Sequence, residues 1–199
     1  MESTGNKNTQ RAAVAVNPTK IITGVCRLSY ANIWQAKSIN GGVPKYSTSV
    51  LIPKSDMKTI ANVKAAIEAA YYEGESKLMG NSKTVPSLAS LKTPLRDGDT
   101  ERPDDEAYAG HWFLNANSNT APGVVDANRE PIYDTSEIYS GVYARVSLTF
   151  YAFNSNGNRG IACGLQNIQK VRDGTRLDGR KKAEEEFDAI GDEEDDPLS

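Results

Sequence analysis

Several features of catalytic, membrane-bound or disulfide-bonded proteins are absent from this sequence of 199 residues. Its two cysteines, Cys26 and Cys163, are too few for a disulfide framework or for a four-cysteine metal site. No stretch approaches the ~20 apolar residues that span a bilayer, and the N-terminus lacks the apolar run of a signal peptide. These absences predict a soluble, intracellular protein with no membrane association.

The sequence also has few residues that support catalysis. Its only histidine is His111, so a Ser-His-Asp or Cys-His arrangement has no other imidazole to use as a base. Neither a GxxxxGK[ST] phosphate loop nor a GxGxxG fingerprint after a strand occurs. Both cysteines lie in strand patterns, which indicates buried small side chains rather than reactive thiols. We therefore predict no catalytic residue, no cofactor and no metal.

One acidic cluster provides an enzymatic alternative. Six carboxylates lie within residues 97–106, and such a cluster could ligate Mg²⁺ in a nuclease. However, carboxylates crowded into one loop repel each other unless a metal or cations compensate their charge. A two-metal site also commonly uses acidic residues anchored on separate elements. A solvated or salt-bridged loop is therefore favoured, and the Mg-dependent nuclease stays as an alternative.

Charge is divided unequally along the chain. Of its 26 acidic residues, nine lie between Glu184 and Ser199, where no basic residue occurs. The remaining 17 acids and the 23 bases give residues 1–183 a charge of about +6, although the whole chain carries −3. A basic body with an acidic tail is typical of polyanion-binding proteins, with the tail as an internal competitor or a hook for partners. A merely solubilising tail is the alternative.

Apolar periodicity predicts a mainly β chain with one inserted helix. Alternation predicts strands at residues 20–30, 46–52, 111–117, 141–153 and 159–171. Helical spacing predicts an amphipathic helix over 56–78, whereas 31–45 and most of 80–109 are predicted loops. One predicted face of the first strand carries Ile22, Cys26, Leu28 and Tyr30.

Three regions follow from this pattern. Residues 1–19 are polar and predict a flexible N-terminal arm, and residues 173–199 predict a disordered acidic tail. Residues 20–172 predict the folded domain, whose five strands and single helix are compatible with a small β-barrel.

Aromatic and cationic side chains alternate on one face of the predicted strand 141–153, where an ordinary solvent face carries Thr, Lys and Glu. Single-stranded nucleic acid is bound by such a mixture, because flat rings stack on unpaired bases and Lys or Arg holds phosphates. The predicted stacking residues are Trp34, Tyr143, Tyr151 and Phe153. The predicted phosphate contacts are Lys37, Lys45, Arg145 and Arg159. Strand 111–117 could add Phe113 beside two asparagines.

The same rings could instead cover a second hydrophobic surface, such as a dimer interface or the flank of the helix. The protein would then be a protein–protein adaptor, and its acidic tail would only aid solubility. This alternative stays open at the level of the residues.

A series of short segments occurs in an order that resembles one protein family. The segments are Ser29-Tyr-Ala-Asn32, Asn40-Gly-Gly-Val-Pro-Lys-Tyr46, Leu51-Ile-Pro-Lys-Ser-Asp56, Thr93-Pro-Leu-Arg-Asp-Gly-Asp99, Arg102-Pro-Asp-Asp-Glu-Ala-Tyr-Ala-Gly110, Pro122-Gly-Val-Val-Asp126, Tyr139-Ser-Gly141 and Gln166-Asn-Ile-Gln-Lys-Val171. Together they resemble the single-stranded-DNA-binding proteins of tailed bacteriophages over about residues 20–175.

The resemblance implies a barrel of the oligonucleotide/oligosaccharide-binding (OB) type that coats single-stranded DNA during phage replication, recombination or repair, without catalysis. It also implies the cytoplasm of an infected bacterial host as the location. Binding of double-stranded DNA and homo-oligomerisation are left open. An OB barrel presents its second and third strands and its 1–2 and 4–5 loops to the ligand.

The end of the tail has a looser similarity of its own. Its residues resemble the acidic tip with which bacterial single-stranded-DNA-binding proteins dock onto replication and repair enzymes, although this chain ends in Ser199 rather than in an aromatic residue. The predicted partner or regulatory residues are Asp192, Glu193, Glu194, Asp195, Asp196, Pro197 and Leu198. Competition of the tail with DNA for the basic body needs no such tip.

Overall fold

The computed structural model describes residues 17–38 and 40–180. The described strands are β1 (Lys20–Ile22), β2 (Cys26–Lys37), β3 (Lys45–Pro53), β4 (Arg96–Asp97), β5 (His111–Ser118), β6 (Gly123–Val125), β7 (Tyr143–Ser155) and β8 (Asn158–Arg172). The α-helices are α1 (Met57–Glu73), α2 (Glu75–Met79) and α3 (Gly98–Glu101). Short 3₁₀ turns lie at Leu88–Ser90, Glu106–Tyr108 and Thr135–Glu137.

Five of these strands pair in a closed ring in the order β7, β2, β3, β5, β8 and back to β7. The β5–β8 contact is parallel, at Asn117 and Gly164, and the other pairings of the ring are antiparallel. β1 extends the sheet beside β7, β6 beside β8 and β4 beside β5. The predicted mainly β fold with a five-stranded barrel and an inserted helix is therefore confirmed, with three short strands added.

The barrel interior is filled by alternate residues of its strands. The predicted inward series is buried throughout and consists of Val142, Ala144, Val146, Leu148, Phe150 and Ala152. α1 packs its apolar stripe against this core through Ile60, Val63 and Ile67. The helix begins where the Asp56 carboxylate accepts a hydrogen bond from the Thr59 N–H at 3.0 Å.

The predicted helix 56–78 is two helices that meet at Gly74. A Cβ at Gly74 would lie 2.2 Å from the Cβ of Ala152, so only glycine allows the chain to approach β7 this closely. The break follows from this contact with the barrel, which helical periodicity does not report.

The prediction for residues 20–45 is wrong in two respects. The first strand is interrupted at residues 23–25, and β2 continues to Lys37, so the loop between β2 and β3 covers only 38–44. Tyr30 and Ile22 do not share the buried face of Cys26 and Leu28, since both are exposed. For Tyr30 the cause is a bulge in β2, which shifts the alternation by one residue.

Residues 173–180, which belong to the predicted disordered tail, lie against the body instead. The Arg27 guanidinium donates to the Thr175 carbonyl at 2.7 Å, and the Leu177 N–H donates to the Ser140 carbonyl at 2.8 Å. Most of the predicted N-terminal arm, 1–16, and the rest of the predicted tail, 181–199, lie outside the described residues. No helix within 17–38 and 40–180 is long and apolar enough to cross a membrane.

Candidate nucleic-acid interface

A groove of about 690 Å³ runs across the outer face of β2, β3 and β5. The strand register explains its floor: Ser49 pairs with Asn115, and Asn32 pairs with Ser47, which pairs with Asn117. Small polar side chains thus alternate outward on three neighbouring strands and leave space above the sheet. The groove is lined by Tyr30, Asn32, Lys37, Gly42, Val43, Lys45, Ser47, Thr48, Ser49, Arg102, Asn115, Ala116 and Asn117.

Tyr30 enters this groove because of a β-bulge. Between the pairs Ser29–Ser49 and Asn32–Ser47, β2 advances three residues while β3 advances two. The extra residue places Tyr30 in the left-handed region, with φ of 47°, and leaves the side chain 57% exposed. The Asn32 side-chain amide donates to the Tyr30 carbonyl at 3.1 Å, and the Ser140 hydroxyl accepts from the Ala31 N–H at 3.0 Å. These two hydrogen bonds fix the bulge and therefore the position of the Tyr30 ring.

Arg102 forms one wall of the groove. Its guanidinium carbon lies 5.9 Å from the centroid of the Tyr30 ring and 5.3 Å from that of Tyr108. Tyr108 is buried, packs edge-on against Phe113 at 4.9 Å and donates a hydrogen bond to the Ser49 hydroxyl at 3.0 Å. The segment that carries Arg102 is thus fixed on the outer face of β3 and β5, and the cation is positioned by rings.

Three of the six carboxylates in the segment 97–106 pair with cations of the body. The Lys54 ammonium contacts both Asp97 and Asp99 at 2.7 Å, and Arg96 pairs with Glu101. The Lys54 ammonium and the Gly110 N–H lower the pKa of Asp99, and the two carboxylates raise the pKa of Lys54. Within the described residues, no three His, Cys, Asp or Glu side chains gather as metal ligands. The segment acts as a salt-bridged support for Arg102.

The electrostatics of the groove favour an anion. Lys37, Lys45 and Arg102 line it, and none of the described lining residues carries a carboxylate. Lys37 and Lys45 are also direct partners in the β2–β3 register. Like charges opposite each other destabilise a sheet, so this pair lowers the stability of the fold. An anion bound beside both lysines would relieve their repulsion.

Of the eight DNA contacts predicted from the sequence, the structure brings Lys37 and Lys45 into the groove. Trp34 is half-buried against the core, and its indole N–H donates to the Ile138 carbonyl at 3.2 Å. The Arg159 guanidinium donates to the Ser82 hydroxyl at 3.1 Å. Trp34 and Arg159 are therefore engaged within the fold and outside the groove.

The aromatic face of β7 also lies outside the groove. Tyr143 is flanked by Arg172 and Arg27, with guanidinium carbons 3.6 and 5.6 Å from the ring centroid. Its ring edge packs so closely on Gly174 that a Cβ there would lie 2.7 Å away. Tyr151 is 44% exposed beside the α1–α2 junction, and Phe153 covers Gly160 of β8. Arg145 lies on this face too, where its Nε donates to the Thr23 carbonyl.

Sequence reasoning missed Tyr30 and Arg102, and Phe113 is buried rather than exposed. Alternation put Tyr30 on the same face as Cys26 and Leu28, and only the bulge separates it from them. A signal was available in Ser47, Ser49, Asn115 and Asn117, whose period of two marks a polar outer face. Cys26 and Cys163 are buried as predicted, and burial raises the pKa of the Cys26 thiol to about 12.

Comparison with known proteins identifies the family. A family model described as the single-stranded-DNA-binding protein of Enterobacter phage Enc34 matches residues 19–198. The chain belongs to this family. This membership confirms the resemblance found in the sequence and, with it, the prediction of a non-catalytic phage protein that binds single-stranded DNA.

Individual relatives agree with this assignment. Protein p50 of Acyrthosiphon pisum secondary endosymbiont phage 1 is 32% identical over 187 residues, which cover 90% of this chain and 98% of p50. The single-stranded-DNA-binding protein of bacteriophage Enc34, solved in complex with single-stranded DNA, has a TM-score of 0.65 at 23% identity over 81% of this chain and 90% of its own. The gp2.5 single-stranded-DNA-binding protein of bacteriophage T7 has a TM-score of 0.57 at 15% identity over 82% and 97%. The two solved structures share the fold.

Proposed function

We propose that the protein binds single-stranded DNA in the groove of β2, β3 and β5, in the cytoplasm of the infected host, during phage replication, recombination or repair. One observation carries this choice of surface. An exposed tyrosine, Tyr30, and three cations, Lys37, Lys45 and Arg102, meet over a floor of small polar side chains with no carboxylate among the described lining residues.

Each part of the groove has a separate role in this proposal. The Tyr30 ring stacks on an unpaired base, which contributes about 1–3 kcal/mol per base. Lys37, Lys45 and Arg102 neutralise phosphates and release counterions. Stacking accepts every base, so binding is largely independent of sequence.

The same division of roles predicts a preference for single strands. A paired base is already stacked on its neighbours and hydrogen-bonded to its complement, so it has no free face for Tyr30. Phosphate contacts are available in both single and double strands. Double-stranded DNA should therefore bind more weakly but with a comparable dependence on salt.

The acidic C-terminal tail is proposed to compete with DNA for this groove. The support is positional: Leu177 and Asp178, near the end of the described residues, line a cleft of about 200 Å³ that Tyr30 also lines. The described part of the chain thus ends near Tyr30, four residues before the acidic run that begins at Glu184 in the sequence. The same tail is a candidate hook for replication or recombination proteins when DNA occupies the groove.

A titration of one labelled oligonucleotide, as a single strand and as a duplex, tests the proposal. We expect the single strand to bind more tightly and to lose roughly 20-fold in affinity between about 50 and 200 mM salt if three phosphates are neutralised. A chain ending at Lys182 should bind more tightly at both salt concentrations. Equal affinity for single strand and duplex would contradict stacking, and an unchanged affinity without the tail would contradict competition.

A further inference from the structure

A second donor-rich surface lies on the outward side of β1, β7, β8 and β6. The register places Ile22, Ser147, Asn167 and Gly123 in one row across these four strands. Ile22, Ser147 and Asn167 of this row line a shallow pocket of about 290 Å³, together with Lys20, Val125, Arg129, Arg145, Ile168 and Gln169. We call this surface the β7–β8 shelf.

The shelf has the chemistry of an anion site. Three cations line it, Lys20, Arg129 and Arg145, and no described lining residue carries a carboxylate. Two acids adjoin lining residues along the chain without lining the pocket: Glu130 follows Arg129, and Asp126 follows Val125 and accepts hydrogen bonds from the Asn128 and Glu130 N–H groups of its own turn. The lining itself therefore carries a net positive charge.

One polar group of the shelf has no hydrogen-bond partner. Ser147 is 9% exposed, and its hydroxyl finds no partner among the described residues. A buried hydroxyl without a partner is costly, so such a group is a place to look for a ligand oxygen. The amide of Asn167, its cross-strand neighbour, extends over Gly123, where a Cβ would lie 2.7 Å from the amide oxygen.

We propose that the β7–β8 shelf is a second phosphate-binding site, which holds the backbone of the same DNA strand after it leaves the groove. The inference rests on the proposed function of the groove. No aromatic ring of the described residues lines the shelf, and its apolar residues are aliphatic, so it holds phosphates and sugars while the bases stay in solvent. An acidic peptide is the competing occupant, and the test below separates the two.

The strand register places the shelf within reach of the groove. Asn117, on the groove floor, pairs with Gly164 of β8, and Asn167 follows three residues later. A strand spacing of ~5 Å across the sheet and a rise of ~3.3 Å per residue along β8 put Asn167 about 11 Å from Asn117. This distance corresponds to about three nucleotides at a rise of ~3.4 Å. A DNA strand that follows the barrel surface therefore reaches the shelf only when it is longer than the segment that fills the groove.

The test uses oligonucleotide length as its readout. The variant combines Lys20→Ala and Arg129→Ala in the full chain; both side chains are exposed and make no hydrogen bond to the described residues. We expect unchanged affinity for a short oligonucleotide of about four nucleotides and several-fold weaker binding of one of about sixteen. The salt slope for the long oligonucleotide should fall by about 1.4, or 0.7 for each lost phosphate contact.

A matched control removes the same charge elsewhere. Lys58→Ala combined with Lys83→Ala removes two exposed cations that lie outside both surfaces. We expect the fold change in affinity that this control causes to be the same for both oligonucleotide lengths. The inference is overturned if the shelf variant weakens both lengths equally, or if the control reproduces its effect. It is also overturned if the effect disappears in a chain ending at Lys182, because the shelf would then hold the acidic tail.

A different result is expected if the groove itself does not bind DNA. Tyr30→Ala should weaken both lengths, and if it changes neither, the proposed function fails whatever the shelf variant does. The unfolding midpoint of each variant checks that the fold persists.

Discussion

Two outer faces of the same barrel use their side chains in opposite ways. The face of β7 has the more conspicuous sequence, with Tyr143, Arg145 and Tyr151, yet Tyr143 is flanked by two arginines and Arg145 bonds to the Thr23 carbonyl. The face of β2, β3 and β5 is built from serine and asparagine and forms the open groove. A ring that packs against arginines of the fold is less available to the bases of DNA, whereas small residues leave room for them.

The comparison assigns different consequences to substitutions on the two faces. Changes on the groove face should alter DNA affinity with little effect on stability. Changes at Tyr143 should lower stability with little effect on affinity. The predictions below test that division in order of expected size.

The largest effect is expected for Tyr30→Ala. Loss of one stacking ring removes about 1–3 kcal/mol, which weakens single-stranded-DNA binding about 5- to 150-fold in a fluorescence titration. Tyr30→Phe should retain most of the affinity, because the ring face is kept. Tyr133→Ala is the matched control, since Tyr133 is 85% exposed and lies outside the groove. A loss of affinity in the control as large as in Tyr30→Ala would contradict the assignment.

The next effect concerns the paired lysines. Lys37→Ala combined with Lys45→Ala should weaken binding to all sequences alike and reduce the salt slope by about 1.4, because two phosphate contacts are lost. The stability of the free protein should stay the same or rise, since the two like charges are cross-strand neighbours. Affinity at several salt concentrations and urea unfolding measure the two parts. An unchanged salt slope would place the phosphates elsewhere.

On the other face, Tyr143→Leu should lower the free energy of unfolding by about 1–2 kcal/mol, because its contacts with Arg172 and Arg27 are lost. Its affinity for single-stranded DNA should stay within twofold of the parent. Urea denaturation and the same fluorescence titration give both numbers. A large loss of affinity with unchanged stability would reverse the roles of the two faces.

The smallest effect is expected at the salt-bridged support of Arg102. Lys54 and the Gly110 N–H lower the pKa of Asp99 below its ordinary value of 3.8, so its contribution to stability is present above that pH. The contribution is lost as the pH falls through the lowered pKa. Asp99→Asn should therefore flatten the acid limb of a plot of unfolding midpoint against pH. An acid limb identical to that of the parent would show that this contact contributes nothing.

The sequence predicted much of the fold because the barrel strands are regular. Alternation placed Val142 to Ala152 inward correctly, and the apolar helical stripe placed α1. Prediction failed where tertiary contact decides the local structure. Gly74 divides the helix because β7 lies against it, and the bulge takes Tyr30 off the face that it was predicted to share with Cys26 and Leu28.

The candidate site was harder to predict than the fold. Lys37 and Lys45 were found because flexible cations near a loop stay exposed whatever the packing. Trp34 and Tyr143 were assigned to DNA on residue type alone, whereas Ile138, Arg27 and Arg172 lie next to them only in three dimensions. Arg102 was missed for the same reason, since Tyr30 and Tyr108 position it.

Photo-crosslinking tests the central claim most directly. Single-stranded DNA with 5-iododeoxyuridine at each position in turn is irradiated with the full chain, and the modified residue is mapped by mass spectrometry. We predict crosslinks at Tyr30, the exposed ring of the groove. Crosslinks confined to Tyr151 or Phe153 would place the bases on the β7 face and contradict the account.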